Sequence, residues 1–461
     1  MNKEAGSRKW VIFFSLLLVS LGLRLVRLNM SFWMDEIIMM TDFVQKPWLK
    51  IITDVPYPNN HILYTLLAKL SVIFFGEKEW SARLPAVVFG SLTPPVSYLI
   101  FRKKISELAA AAAGLFLALN YWAVWFSQDA RGYSALILLG LAGTYFFLEH
   151  LERGDWRSAV YYILAAGFSI QFHLYGLFLI GGQLAWGLFQ AARNKTRIRR
   201  LAPILAAVVL GLSLYLPAAA QLYKFAETRG RIILHRGLTL GLVRDLFMML
   251  AGTRHLKLTL LILVLALPGF FGLAKKWAGF SATYVVAAAA LILFTRTAKV
   301  FIYARFLAFL LPFFAICLIN TLEMGRQLLR PRSRPLALLL AFLFLPIVFS
   351  ILALGLGNYY LLGKQGFRDA AQYISQIRAN EELICYGIIC KELKYYYPKD
   401  MTGVDEKKVL TPEFIKNKLI ISRVVDWTDY NLKTALSYCH TERMWRSAGY
   451  KENILLLTKC P

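Results

Sequence analysis

The sequence predicts a polytopic α-helical membrane protein of about eleven transmembrane helices plus interfacial helices, followed by a small C-terminal α/β domain outside the cytoplasm. Three observations predict it. The chain is 58% hydrophobic with a mean hydropathy of +0.52, above the roughly half-apolar makeup of soluble domains. Apolar runs of about 18–20 residues recur, the length a helix needs to cross some 30 Å of hydrocarbon. Within lipid each run must be helical, because every backbone donor and acceptor needs an internal partner. After Asn358 the long runs stop and charges become frequent.

Met1–Lys9 is basic and precedes the apolar stretch Trp10–Val26. No small-residue cleavage site follows, so the segment reads as a retained signal anchor. Spans are expected at Trp10–Arg27, Leu84–Phe101, Leu108–Phe126, Ser134–Leu151, Ala159–Phe172 and Gly176–Phe189. Further spans are expected at Leu201–Pro217, Leu258–Ala274, Gly279–Phe294, Val300–Ile319 and Leu336–Gly357. His61–Phe75 is apolar but only about 15 residues long, nearer a re-entrant or interfacial helix. Parity decides its status. Left out of the count, an inside N-terminus keeps Arg102-Lys103-Lys104, the Arg193–Arg200 cluster, Lys275-Lys276 and Arg326–Arg334 on the cytoplasmic side. Counted as a span, it throws all four outside, against the positive-inside rule. The outer side then receives Asn29–Arg83, Ser127–Tyr133, His173–Tyr175, Ala218–Lys257, Thr295–Lys299 and the tail. The Ala218–Lys257 loop is an exception, being basic (Arg229, Arg231, Arg236, Arg244, Arg254), which a long loop tolerates or uses against lipid phosphates.

The organisation is thus a transmembrane domain over 1–357, with its first outer loop at 29–83, and a soluble domain over 358–461. In the tail Leu383–Ile389, Lys418–Val425 and Asn453–Lys459 read as strands, and Phe367–Ile377 and Pro412–Asn417 as helices. Cys385, Cys390, Cys439 and Cys460 fall there, while Cys317 lies in a span. Two disulfides in an oxidising compartment, a zinc site or free thiols all remain open.

The formal net charge is +26, from 53 Lys+Arg against 27 Asp+Glu. In a soluble protein that balance suggests nucleic acid. Here much of the excess sits in short loops and serves orientation, and no nucleic-acid motif is present. Walker A, dinucleotide, HExxH and Gly-x-Ser-x-Gly patterns are also missing. Tyr, Phe and Trp make up 14% of residues, and an aromatic groove for a lipid tail is not separable by sequence from interfacial belts.

The chemistry-bearing residues fall on the outer side. Asp35 and Glu36 are adjacent, so on a helix they diverge by about 100° and take separate roles. Alternatively they form an acidic helix start favoured by the macrodipole. Asp129 and Arg131 in Ser127-Gln128-Asp129-Ala130-Arg131-Gly132-Tyr133 lie at the end of a span, where an unpaired charge costs a few kcal/mol. They either satisfy each other locally or pair a carboxylate with a phosphate-binding fork. Arg83 and Arg305 stand near outer membrane ends. Each alone reads as a snorkelling anchor, but three arginines beside three carboxylates suit an anionic head group. His61 and His173 are ligands, proton carriers or plain polar residues.

In order along nearly the whole chain, these residues resemble the GT-C superfamily of membrane glycosyltransferases. The match is nearest to the protein O-mannosyltransferase and aminoarabinose-transferase branch. The resemblance rests on Asp35-Glu36, then Asn60-His61-Ile62-Leu63-Tyr64, then Phe75-Gly76-Glu77-Lys78-Glu79-Trp80-Ser81-Ala82-Arg83-Leu84-Pro85-Ala86. Gln128-Asp129-Ala130-Arg131-Gly132-Tyr133, His173-x-Tyr175, Tyr303-x-Arg305-Phe306 and Lys364-Gln365-x-Phe367-Arg368 complete it. It implies inverting transfer from a polyprenyl-phosphate-linked sugar to a glycan, lipid or protein acceptor, at the extracytoplasmic face of the plasma membrane. By that likeness Asp35 is the catalytic aspartate, with Glu36 beside it and Asp129 as a second carboxylate. Arg83, Arg131 and Arg305, with His61, hold the donor phosphate. Asn60, Tyr64, Tyr133, His173, Tyr175 and Tyr303 are its substrate contacts. Where the aminoarabinose branch carries a glutamate–lysine–proline, whose glutamate binds metal, this chain has Asn60-His61-Ile62. A divalent metal is therefore left undecided.

A phosphate leaving group needs charge neutralisation more than a proton donor, and the acceptor needs a base. A transporter or flippase is the rival from another class. Transporters show inverted repeats and mid-membrane ionisable residues, whereas here the charges gather at one face. A non-catalytic scaffold for lipid-linked sugars is the third reading, and it predicts binding without turnover.

Overall fold

The computed structural model describes residues 2–56, 59–229, 239–298, 302–329, 334–377, 381–405, 410–423, 432, 436–448 and 454–461. Pro58, Arg231, Arg236, Lys299, Val300 and Phe301 lie outside that set. The chain divides into two compact units. The first is Met1–Val26, Lys46–Glu77 and Ser81–Leu356; the second is Arg27–Gln45, Lys78–Trp80 and Gly357–Pro461.

The first unit is helical. Among the described residues, seven helical stretches of the chain are long and apolar enough to cross a bilayer: Glu79–Phe101, Tyr133–Arg153, Ile198–Lys224, Leu256–Lys276, Ala278–Thr297, Ala304–Leu329 and Leu343–Ile377. An eighth is the pair Glu107–Leu119 and Tyr121–Ser127, bent by 61°. Asn2–Leu25, Trp156–Phe172 and Gly176–Ala192, where the sequence also places spans, stand outside those eight, being charged at one end or only 17 residues long. Ile62–Phe75, with 14 residues, is among the shorter apolar helices.

The bend interrupts a run that hydropathy reads as one span. Asn120 Oδ1 accepts from the Trp122 and Ala123 amides at 3.0 and 3.2 Å, a helix N-cap. Its amide nitrogen donates to Met249 O and Leu250 O at 3.3 and 3.1 Å. One polar side chain thus starts a helix and ties it to another, so a polar group inside the bundle is satisfied rather than stranded.

The second unit holds a five-stranded mixed sheet: β1 (Glu382–Tyr386), β2 (Thr402–Val404), β3 (Lys418–Arg423), β4 (His440–Trp445) and β5 (Leu455–Lys459), in the order β2-β1-β3-β5-β4. β1 is parallel to β2 and β3, while β5 is antiparallel to β3 and β4. The core gathers Ile384, Tyr386, Val404, Leu410, Ile415, Ile420 and Leu432. Helix Phe367–Ile377 buries Phe367, Ala370, Ala371 and Ile374, the i, i+3, i+4, i+7 stripe of an amphipathic helix.

Three of the strands lie where the sequence places them. The first is shorter than expected, because Gly387 takes φ +82° and turns the chain out of the sheet. Helix Cys390–Tyr396 follows. β2 and β4 were not expected: β2 has three residues, and β4 is an exposed, charged edge strand. Cys385–Cys390 and Cys439–Cys460 are paired as disulfides, which selects one of the three connectivities that four cysteines allow.

Candidate active site

In the first unit three loops converge. Asn60 braces the approach to helix Ile62–Phe75: its amide donates to Ile51 O at 2.8 Å, and Thr65 Oγ1 donates to Asn60 Oδ1 at 2.8 Å. Tyr64 OH donates to Ala82 O at 2.8 Å. These two polar groups are committed to the scaffold that presents His61. The turn before helix Tyr133–Arg153 is pinned by Gln128, whose amide donates to Arg24 O at 2.7 Å and Val26 O at 2.8 Å.

Arg131 Nη1 donates to Asn59 Oδ1 at 2.6 Å, and its Nη2 lies 2.9 Å from His61 Nε2. The Gly132 amide approaches His61 Nδ1 at 2.9 Å. A neutral imidazole accepts through one nitrogen only, so one of these two donors faces a ring N–H and is available to another acceptor. Gly132 is required by space: a Cβ there would sit 2.0 Å from Phe172 O and 3.0 Å from His61 Nδ1.

His173 closes helix Trp156–Phe172. Its Nδ1 accepts from the Tyr175 amide at 3.3 Å, so the proton of the neutral ring is on Nε2. That nitrogen is buried with no hydrogen-bond partner among the described residues. The two imidazoles lie 4.4 Å apart, and Tyr133 is 5.7 Å from His61 and 4.7 Å from His173. Tyr175 joins at 4.6 Å from His173 and 4.7 Å from Phe306. Arg305 stacks 4.4 Å from the Tyr303 ring. Burial holds both histidines well below their usual pKa, helped at each by the Arg131 and Arg305 guanidiniums. They are therefore neutral, with a preference for anionic company.

Arg83 is fully buried, so it is no snorkelling anchor. A guanidinium at that depth is held by polar or anionic partners. Asp129 is also buried, at 1% exposure, and its carbonyl accepts from the Arg131 amide at 2.6 Å.

The second unit collects carboxylates. Helix Met34–Met39 carries Asp35 and Glu36, both buried. Glu36 Oε2 accepts from the Trp33 amide at 3.2 Å and meets Lys364 Nζ at 3.5 Å, with both side chains fully buried. Gln365 Oε1 accepts from the Met34 amide at 3.1 Å. Glu36 and the Lys364-Gln365 pair thus fix the helix that carries Asp35. Arg368 Nη1 meets Glu79 Oε1 at 2.9 Å, and Nη2 donates to Asn29 O at 2.8 Å.

Helix Cys390–Tyr396 packs against the same segment. Lys391 Nζ meets the Asp42 carboxylate at 2.6 Å. Tyr396 OH donates to Glu79 Oε1 at 2.8 Å and accepts from the Phe32 amide at 2.9 Å. Between them Glu392 is buried, and its Oε2 finds no hydrogen-bond partner among the described residues. Burial pushes its pKa up to about 7, with added repulsion from the Asp35 and Asp42 carboxylates. The sequence reading missed Glu392, since nothing in Cys390-Lys391-Glu392-Leu393 marks one carboxyl among solvated charges. Among the described residues no group of three or more His, Cys, Asp or Glu is arranged to hold a metal ion.

Comparison with known proteins agrees with this architecture. Residues 56–220 match the family model described as dolichyl-phosphate-mannose-protein mannosyltransferase. The structure is similar to that of ArnT from Cupriavidus metallidurans in the apo state, with a TM-score of 0.59, 15% identity and 98% of each chain covered. It is also similar to the same protein bound to undecaprenyl phosphate, with a TM-score of 0.58, 15% identity, 99% of this chain covered and 98% of that one. The Archaeoglobus fulgidus oligosaccharyltransferase, in complex with Zn and sulfate, matches with a TM-score of 0.53 and 11% identity, over 93% of this chain and 71% of that one. No curated protein sequence matches the chain. The chain shares the fold of these solved structures, and residues 56–220 carry the pattern of the mannosyltransferase family model, the branch that its ordered motifs resemble.

Proposed function

We propose that this protein transfers a sugar from a polyprenyl-phosphate-linked donor to an acceptor on the extracytoplasmic side of the plasma membrane, with inversion. The observation that carries this reading is the His173 Nε2–H. It is a buried donor with no acceptor among the described residues, beside a second neutral imidazole and under the charge of Arg131 and Arg305. Such a donor is costly unless a ligand meets it. The oxygens of a phosphate accept without donating and carry the charge that guanidiniums complement.

In the proposed reaction the acceptor hydroxyl loses its proton to Asp35 as its oxygen bonds the anomeric carbon. The bond from that carbon to the phosphate oxygen breaks, and its electron pair leaves with the lipid phosphate. Arg131, Arg305, His61 and His173 stabilise the leaving phosphate as charge develops on it, with Arg83 as an additional cation. Fixed donors of this kind need no reorganisation at the moment of reaction. Asp129 is assigned as a second carboxylate of the site, Glu36 as the group that orients the Asp35 helix, and Tyr133, Tyr175 and Tyr303 as walls for the sugar. Asn60 and Tyr64 serve by holding His61.

The test is transfer from a polyprenyl-phosphate sugar by Asp35→Asn protein reconstituted in lipid. Removing a general base lowers turnover by roughly 100- to 10,000-fold, while expression and thermal stability are retained. Full activity in Asp35→Asn removes the base assignment. Donor binding without turnover in the unaltered protein favours the scaffold, and vesicle transport without transfer favours the transporter.

A further inference from the structure

Helices Tyr133–Arg153 and Gly176–Ala192 each have their first residues in the histidine–tyrosine cluster. Their last turns meet elsewhere, on a cavity of about 360 Å³. With a rise of about 1.5 Å per residue, Leu148 to Glu152 lie roughly 22–29 Å along the helix from Tyr133. The cavity therefore belongs to the opposite face of the membrane. Four lysines line it: Lys104 from the turn after helix Glu79–Phe101, Lys195 from the loop after helix Gly176–Ala192, and Lys275 and Lys276 from the end of helix Leu256–Lys276. None is paired with a carboxylate among the described residues, and Glu152 is the one acidic residue in the lining.

Topology signals alone require only that lysines lie at this face. They do not require walls, and here there are walls. Trp186 and Trp277 line the cavity. Trp277 is 94% buried and stacks on Phe280 at 4.1 Å with an interplanar angle of 12°. Lys104 sits 5.6 Å from the Trp277 ring, which fixes one ammonium at the rim. Thr196 also lines the cavity, and its hydroxyl is buried with no hydrogen-bond partner among the described residues. Excess positive charge, a hydroxyl without a partner among the described residues and tryptophan walls together suit one phosphate-bearing group. Basic pockets between helices at a cytoplasmic face take lipid head groups in this way. The volume lies within the range of small-ligand sites.

We infer that the lysine- and tryptophan-lined cavity between Lys104, Lys195, Lys276 and Trp277 binds the phosphate head group of an anionic phospholipid from the leaflet at that face. The site is distinct from the proposed donor site and does not depend on it. A soluble phosphate shares the chemistry but not the acyl chains, and the test separates the two.

The experiment uses the full chain and a Lys104→Gln/Lys195→Gln/Lys276→Gln variant, each in nanodiscs of phosphatidylcholine doped with phosphatidylglycerol. Lipid retained on release is read by native mass spectrometry. The wild type is expected to keep one phosphatidylglycerol at least about 10-fold in preference to phosphatidylcholine, and the variant to lose that preference. Inorganic phosphate and pyrophosphate, added separately, should leave the retained lipid in place. Equal retention by the variant overturns the proposal, as does displacement by inorganic phosphate, which makes this a soluble-anion site. Because the triple variant could fold poorly, Lys195→Gln alone is measured too, with melting temperature as readout. Added phosphatidylglycerol should raise the melting temperature of the wild type more than that of Lys195→Gln, and equal rises overturn the proposal.

Discussion

The polar clusters of the two units differ in which groups predominate. The polar cluster of the first contains arginines and imidazoles kept neutral by burial. That of the second contains carboxylates: Glu36, Glu79 and Asp42 are answered by Lys364, Arg368 and Lys391, with Asp35 and Glu392 beside them. Under the proposed reading the two clusters suit different tasks. A departing phosphate needs donors and positive charge, whereas an acceptor hydroxyl needs a base. Neutral histidines suit the first task because they donate without repelling the neighbouring guanidiniums.

The largest effect that could break this contrast is at Arg131. Arg131→Ala should lower kcat/KM with a polyprenyl-phosphate sugar by roughly 100- to 1,000-fold, the scale for one lost charge-stabilising donor. Arg131→Lys should recover only part, since an ammonium lacks the fork that spans Asn59 and His61. A variant with unaltered kcat/KM would detach the first unit from the leaving group.

The contrast sharpens with pH. Glu392 has its pKa raised to about 7 from 4.5, so the folded state keeps a proton that the unfolded chain has lost. Its stabilising share is complete below pH 4.5 and is lost as pH rises through 7, by at most about 3 kcal/mol. Glu392→Gln should therefore melt at nearly the same temperature at pH 5 and pH 8 in this part of the fold, where the wild type declines. An identical decline in the variant would assign the effect elsewhere. His61 and His173 act in the reverse sense. Their depressed pKa values give stability present above 6.5 and lost as pH falls below it.

The smallest expected effect is steric. Gly132→Ala places a methyl 2.0 Å from Phe172 O, and overpacking of this kind destabilises by about 1–3 kcal/mol. A thermal melt of the first unit and the transfer rate should fall together. A normal melt would mean that the His61 turn yields without strain.

The spans and the cation cluster were legible because each leaves a mark in one dimension. A span needs a run, and the turn Asp129-Ala130-Arg131-Gly132-Tyr133 puts charges where hydrocarbon should be. The break at Asn120 was not legible to hydropathy, as Leu108–Phe126 is apolar on both sides. A lone asparagine before Tyr121 is a cap signal only once a helix is known to start there. β4 escaped because an edge strand with His440, Thr441, Glu442 and Arg443 has no buried face to impose alternation. Glu392 escaped because burial is a property of the fold. The sequence sees a carboxyl between two lysines, Lys391 and Lys394, and the packing takes it out of water.

Arg24 lies near the end of helix Asn2–Leu25 and is 1% exposed. Its Nε donates to Ser127 Oγ at 2.9 Å and its Nη1 to Ser20 O at 3.0 Å. Ser127 is the last residue of a helix about a hundred positions downstream. Ser20 is on the same helix, so one acceptor is local and the other comes from far along the chain. One buried cation thereby fastens the end of the first helix to the turn that carries Gln128 and Asp129, and removing it would leave Ser127 Oγ without its donor and that turn tied to the helix end through Gln128.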